Sequence, residues 1–209
     1  MARPRAATYD EQREAILARA AELFARQGYT ATTMNQVAAA CGVTKPTLYH
    51  YFADKQSLLL HIAAGHVARL EELAAEAQSP GLSPEARLRG LIARFMQAYA
   101  SAQHQHRVLT EDVRFLPDAE RGQVLAAERR VVAAFADAIA AARPQFRQQR
   151  LHKPLTMLLF GMMNWTFTWL RPDGALSYEA LGGIVADLFV GGLQALPPAA
   201  AAGTKRQRS

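Results

Sequence analysis

Lys45, Thr47, Tyr49 and His50 stand in one short stretch, bounded by Gly42 on one side and by the pair Asp54-Lys55 on the other. An ammonium, a hydroxyl, a phenol and an imidazole set this close together can donate hydrogen bonds to phosphate oxygens and base edges, the chemistry of a nucleic-acid surface. Catalytic and metal chemistry find no comparable set. His61 and His66 are five apart, and His104 and His106 are two apart, so neither pair shares a helical face. Glu111 and Asp112 are adjacent and point in different directions on a helix, which makes a polar bend rather than an acid-base pair. No phosphate-binding glycine loop or nucleophile motif occurs, and Gly182-Gly183 opens no strand-to-helix crossover. The expectation is a binding protein and not an enzyme, with no catalytic residue, no cofactor and no metal site.

Those side chains need a rigid element beneath them, and the spacing predicts one. Met34, Val37, Ala38 and Cys41 fall on one helical face, and Thr32 or Thr33 ahead of them offers a hydroxyl to cap the free amides of the first turn. Gly42 reaches a left-handed conformation without Cβ strain, and Thr44 supplies the next N-cap. Pro46 is tolerated in a first turn because its missing N–H would be unpaired anyway. The chain turns and restarts within about four residues, the helix-turn-helix interval. Val43, Leu48 and Phe52 are expected to pack inward, leaving Lys45, Thr47, Tyr49 and His50 outward and Tyr51 on the border.

Thr33-Met34-Asn35-Gln36-Val37-Ala38, then Gly42-Val43-Thr44-Lys45, then Leu48-Tyr49-His50-Tyr51-Phe52 and Asp54-Lys55 resemble the DNA-binding domain of TetR/AcrR-type transcriptional regulators. Ile16-Leu17-Ala20-Ala21-Leu23-Phe24 and Gln27-Gly28-Tyr29 similarly resemble that family's first helix and its end. The resemblance implies an all-helical homodimer whose N-terminal domains enter successive major grooves of double-stranded operator DNA, and whose C-terminal domains pair and bind a small inducer. Together with the outward geometry it makes Lys45 the base-reading residue, because an ammonium can donate to guanine O6 and N7. Thr47 is expected to touch a thymine methyl. Thr33, Tyr49, His50 and Lys55 are expected to hold phosphates, and Thr44, Pro46 and Tyr51 complete the DNA-facing set.

Composition bounds the rest. The chain has 209 residues, half of them hydrophobic, and a formal charge of +6. That length and apolar content permit one or two units with a substantial core and exclude a mostly disordered chain. No run approaches the ~20 apolar residues needed to span a bilayer, and the N-terminus, with Arg3, Arg5, Asp10 and Glu11, lacks an apolar signal segment. A soluble cytoplasmic protein with no membrane partner is expected. Cys41, the single cysteine, is read as a buried core thiol. Lys205, Arg206 and Arg208 end a polar tail that reads as disordered, and Arg3 and Arg5 form a flexible arm that would either follow the DNA or solvate the terminus. The expected division is 1–54 for the helix-turn-helix domain, 55–197 for an effector-binding and dimerisation domain, and 198–209 for the basic tail.

The remaining chain reads as helices throughout, so the fold class is all-α. Apolar periodicity marks helices from Lys55 to about Gln78, Ser83 to Gln103, Arg107 to Phe115, Asp118 to Arg143, Phe146 to Leu170 and Tyr178 to Leu196, with turns at Ser79-Pro80-Gly81 and Arg171-Pro172-Asp173-Gly174. The last two carry Leu158 and Met162 on one side and Ile184, Leu188 and Phe189 on the other, the expected dimer seam, with Gly161, Gly182, Gly183, Gly191 and Gly192 allowing close backbone approach. Trp165 and Trp169 are large enough to help fill that contact.

A small hydrophobic effector is expected among Phe95, Met96, Tyr99, Phe115, Phe135, Met163, Asn164, Trp165, Phe167 and Trp169, since ligand pockets are mostly apolar with a few polar anchors. Gly161 to Gly174 resembles a branch of TetR-like regulators whose inducers are acyl- or aryl-CoA thioesters, with Asn164 as the polar group at the pocket. Arg143, Arg147, Arg150 and Lys153 then either neutralise a CoA phosphate or form a solvated face. The helix from Lys55 is the natural lever between ligand and DNA. The alternative is an architectural or division-associated DNA binder with the same head and no inducer.

Overall fold

A computed structural model describes residues 3–77, 81–171 and 174–196, with side chains from residue 8 onward. Among them lie ten α-helices and two 3-10 turns, and no strand. The helices are α1 (Arg3–Gln27), α2 (Met34–Ala40), α3 (Lys45–Tyr51), α4 (Lys55–Glu76), α5 (Pro84–Ser101), α6 (Gln103–Glu111), α7 (Asp118–Ala142), α8 (Gln145–Gln148), α9 (His152–Asn164) and α10 (Tyr178–Ala195). The basic tail, Ser79-Pro80 and Pro172-Asp173 lie outside the described residues.

The chain divides into two compact units. The first joins the residues up to Glu72 with Ala98–Arg130, and the second joins Leu73–Gln97 with the described residues from Val131 onward. In the first, Ile16, Ala20, Ala21 and Phe24 recur at helical spacing on α1 and are buried, together with Leu48, Phe52, Leu58 and Leu59. Gly28 ends α1 with φ +88, donating its N–H to the Phe24 carbonyl at 2.9 Å. Tyr29 then meets Phe24 edge-on at 5.2 Å and stacks on Phe115 at 5.3 Å.

In the second unit Phe135 is the hub, with Phe95 perpendicular to it at 4.7 Å and Phe160 at 4.9 Å. α10 approaches α5 closely at Gly182, where an added Cβ would stand 3.2 Å from Met96 Cβ. A side chain there would press on Met96, which would have to give by a few tenths of an ångström. The same construction at Gly161, Gly183, Gly191 and Gly192 meets nothing within 4 Å, so close approach within the protomer explains Gly182 and not the others.

The structure departs from the periodicity in three places. The helix expected from Phe146 to Leu170 is broken into α8, α9 and a 3-10 turn at Trp165–Thr168. Arg150 takes φ +57 and the Leu151 N–H returns to the Phe146 carbonyl at 2.8 Å, a left-handed helix stop made without glycine. The helix expected to end near Phe115 stops at Glu111 and tightens into a 3-10 turn over Val113–Phe115. At the N-terminus the backbone is helical from Arg3, so Arg3 and Arg5 extend α1 where a flexible arm was expected.

Candidate nucleic-acid interface

Two short helices and their caps build the surface. Thr33 is the N-cap of α2 in a capping box: its hydroxyl accepts from the Gln36 N–H at 3.3 Å, and Gln36 Oε1 accepts from the Thr33 N–H at 2.8 Å. α2 ends at Cys41, and Gly42 turns the chain with φ +64, which lets the Val43 N–H reach the Ala38 carbonyl at 3.1 Å. Cys41 is half-buried at this cap, not in the core as expected, and burial pushes its thiol up. Thr44 caps α3, accepting from the Thr47 N–H at 3.3 Å, and its hydroxyl lies 2.8 Å from that of Thr47. Pro46 occupies the first turn of α3.

A seven-residue helix has little stability of its own, so its orientation rests on what it buries. Leu48 and Phe52 are fully buried, while Val43 is half-buried. Lys45, Tyr49 and His50 are exposed and Thr47 half-buried. The Lys45 ammonium lies 5.8 Å from the centroid of the Tyr49 ring, so cation and phenol form one continuous patch. Tyr51 turns from that patch: its hydroxyl donates to Gln12 Oε1 at 2.9 Å and its ring stacks on Tyr9.

Lys55 does something other than the expected phosphate contact. Its Nζ donates to the carbonyls of Tyr29 at 2.8 Å, Thr32 at 2.8 Å and Thr30 at 3.3 Å, which matches its three N–H donors to the backbone acceptors after α1. Asp54 is likewise engaged, capping α4 by accepting from the Ser57 N–H at 2.7 Å.

The residues expected around an effector are dispersed. Phe95, Met96, Tyr99, Phe135 and Met163 are fully buried, Phe115 stacks on Tyr29 in the first unit, Asn164 and Phe167 are half-buried, and Trp165 and Trp169 are exposed. A cleft of about 180 Å³ lies instead along Ala74, Ala77, Arg87, Leu91, Ala134, Asp137 and Ala138 in the second unit. Small side chains open it. Arg147 neutralises Asp137 at its edge, and Arg143 pairs with Glu85 at 2.8 Å, so two of the arginines considered for a phosphate already hold carboxylates.

Of the residues expected at a dimer seam, Leu158, Ile184 and Leu188 are exposed, at 65 %, 45 % and 64 %, Met162 is half-buried and Phe189 is buried. Leu155, Leu158, Met162, Leu188 and Leu196 line an apolar groove between α9 and α10.

One constellation carries no sequence signal. His66 on α4 and His106 on α6 are both buried, with His66 Nε2 3.4 Å from His106 Nδ1, and Tyr99 on α5 stacks on His106 at 3.7 Å. Burial holds His66 down at about 4, so it is neutral at physiological pH. Burial, aided by the neighbouring Glu111 carboxylate, lifts Asp112 to about 6. The separation of 40 residues between His66 and His106 hid their pairing. No group of three metal-binding side chains occurs among the described residues, and no described helix is long and apolar enough to cross a membrane.

Comparisons with known proteins bear on the same regions. The family model described as "Bacterial regulatory proteins, tetR family" matches residues 16–62, and that described as "Tetracyclin repressor-like, C-terminal domain" matches residues 81–193. The chain is 31 % identical over 103 residues to the transcriptional activator FasR of Mycolicibacterium smegmatis, covering 49 % of this chain and 47 % of that protein. It is 31 % identical over 110 residues to the transcriptional repressor KstR2 of Rhodococcus jostii, covering 53 % and 54 %. The matched segment thus spans about half the length of these curated relatives.

Among solved structures, a TetR-family regulator from Bordetella parapertussis is similar with TM-score 0.82 and 35 % identity, covering 90 % of this chain and 98 % of that one. AibR in complex with isovaleryl coenzyme A and operator DNA is similar with TM-score 0.73 and 26 % identity, covering 85 % and 97 %. A capped helix-turn-helix on an all-α chain, matched by both family models, makes this protein a member of the TetR family of helix-turn-helix DNA-binding transcriptional regulators, which are not enzymes.

Proposed function

We propose that the protein is a cytoplasmic homodimeric repressor that reads a palindromic operator through α3 and leaves it when a small hydrophobic effector of the acyl- or aryl-CoA class binds. The observation that carries the reading is the exposed patch of Lys45, Tyr49 and His50 on a helix already capped by Thr44 and seated on Leu48 and Phe52. FasR is an activator and KstR2 a repressor at equal identity, and the sign proposed here follows KstR2.

The apolar faces of α9 and α10 support a two-fold assembly. Leu158, Ile184 and Leu188 stand on them as exposed large side chains, and a second copy covers such a patch isologously. Two heads then meet half-sites about one helical turn, or a multiple of it, apart.

The effector reading rests on similarity to AibR and on the alanine-lined cleft beside the end of α4, where Arg87 brings a positive charge and the Asp137 carboxylate is neutralised by Arg147. α4 runs unbroken from the Lys55 anchor to Glu76, so a ligand that prefers one placement of its far end favours one spacing of the heads. A thermal-shift screen of the full-length protein against isovaleryl-CoA, phenylacetyl-CoA and the free acids tests the class, followed by operator release. Stabilisation and release by a thioester but not by its acid is expected. Stabilisation by the acids alone, or release by none of these compounds, would reject the proposed class.

A further inference from the structure

The first turns of α1 lie against the end of α3. The Tyr9 ring stacks on Tyr51 with centroids 4.5 Å apart and planes 25° from parallel, and meets His50 edge-on at 6.1 Å. Tyr51 is held a second time, from one turn further along α1, by Gln12 Oε1. His50 and Tyr51 also touch edge-on at 5.7 Å, so three rings form a closed cluster at the C-terminal end of the reading helix. The buried anchors of α3, Leu48 and Phe52, fix its depth on the head. They also set which face turns inward, so the flanks trim the remaining rotation about the axis, on which the aim of Lys45 and Tyr49 depends.

We propose that Tyr9, which lies outside the helix-turn-helix, is a positioning residue for operator reading: through its stack on Tyr51 it sets the roll of α3 and thereby the aim of Lys45, Tyr49 and His50. The inference rests on the reading of α3 as the operator-contacting helix. A ring at residue 9 is what the role needs. The phenol hydroxyl is dispensable.

The test uses the full-length protein, the best palindromic duplex that wild type selects from a random pool, and a scrambled duplex of equal length. Tyr9→Ala is expected to weaken the selected duplex about fivefold, the scale of one aromatic stack, and to leave the scrambled duplex and the salt dependence unchanged. Tyr9→Phe restores wild-type discrimination. Gln12→Met, which keeps the stack and removes the Tyr51 acceptor, gives a smaller loss of the same kind.

Equal weakening of both duplexes with a salt slope lower by about one would make Tyr9 a phosphate contact and overturn the proposal. Undiminished discrimination in Tyr9→Ala overturns it as well. If Tyr9→Ala fails to fold, Gln12→Met decides, and unchanged discrimination in that variant overturns the inference. A wild-type protein that selects no duplex overturns the operator reading itself, which separates the two failures.

Discussion

The Nζ of Lys55 lies 2.8 Å from the carbonyl oxygen of Tyr29 and 4.4 Å from the centroid of the same residue's ring. The charge at the start of α4 is thereby fastened to the chain leaving α1, and the short α2 and α3 are held between two long helices. A residue whose sequence context resembles a phosphate contact is in this structure a clasp inside the head.

Replacing Lys55 by Met separates these roles. The carbonyls of Tyr29, Thr30 and Thr32 lose a charged donor, and stability is expected to fall by about 2 kcal/mol. Chemical denaturation measures that loss. Operator affinity of the folded protein should keep the wild-type salt slope, whereas a lost phosphate contact would lower the slope by about one.

In the proposed reading of the operator, Lys45 is the residue that contacts bases. Lys45→Ala is expected to weaken the selected operator by roughly 10- to 100-fold, the worth of one good base contact, and to relax preference at a single position per half-site. Tyr49→Phe should weaken all duplexes modestly and evenly. Selection from a random pool with each variant distinguishes the two patterns.

The exposed leucines on α9 and α10 predict the assembly. Leu158→Glu with Leu188→Glu is expected to give a folded monomer in sedimentation velocity, because both positions are open to solvent in the protomer and like charges would then meet across a symmetric contact. Operator affinity should drop by about 100-fold or more, since each head then binds alone. A dimer that persists in the double variant would place the seam elsewhere.

Two buried groups set opposing pH slopes. His66 is depressed from 6.5 to about 4, so between those values the unfolded chain binds more protons and stability falls as pH is lowered. Asp112 is raised from 3.8 to about 6, so over an overlapping window the folded state binds more protons and stability falls as pH is raised. The two partly cancel between about pH 4 and 6 in the wild type. Asp112→Asn should remove one slope and leave a stability that climbs from pH 4 to 6.5, and His66→Gln the opposite, measured by urea denaturation at stepped pH.

Much of the head was legible because its determinants are local. Thr33 with Gln36, Gly42, Thr44 and Pro46 act within four residues of their partners, and such caps and turns follow from residue type and spacing alone. The inward places of Leu48 and Phe52 follow from period in the same way. The break at Arg150 was not legible, because a non-glycine residue at positive φ is selected by the packing around it and not by its own preference.

The all-α class, the two short helices and the outward ammonium, phenol and imidazole could be read from residue order, since each depends on the chain within a turn or two. Folding in three dimensions was needed to reveal that Lys55 clasps the end of α1, that Tyr51 belongs to Tyr9 and Gln12, and that His66 and His106 share a buried site. Those relations join residues tens of positions apart, and no periodicity records which helix faces which. Distance along the chain carries no information about a hydrogen bond made across the core.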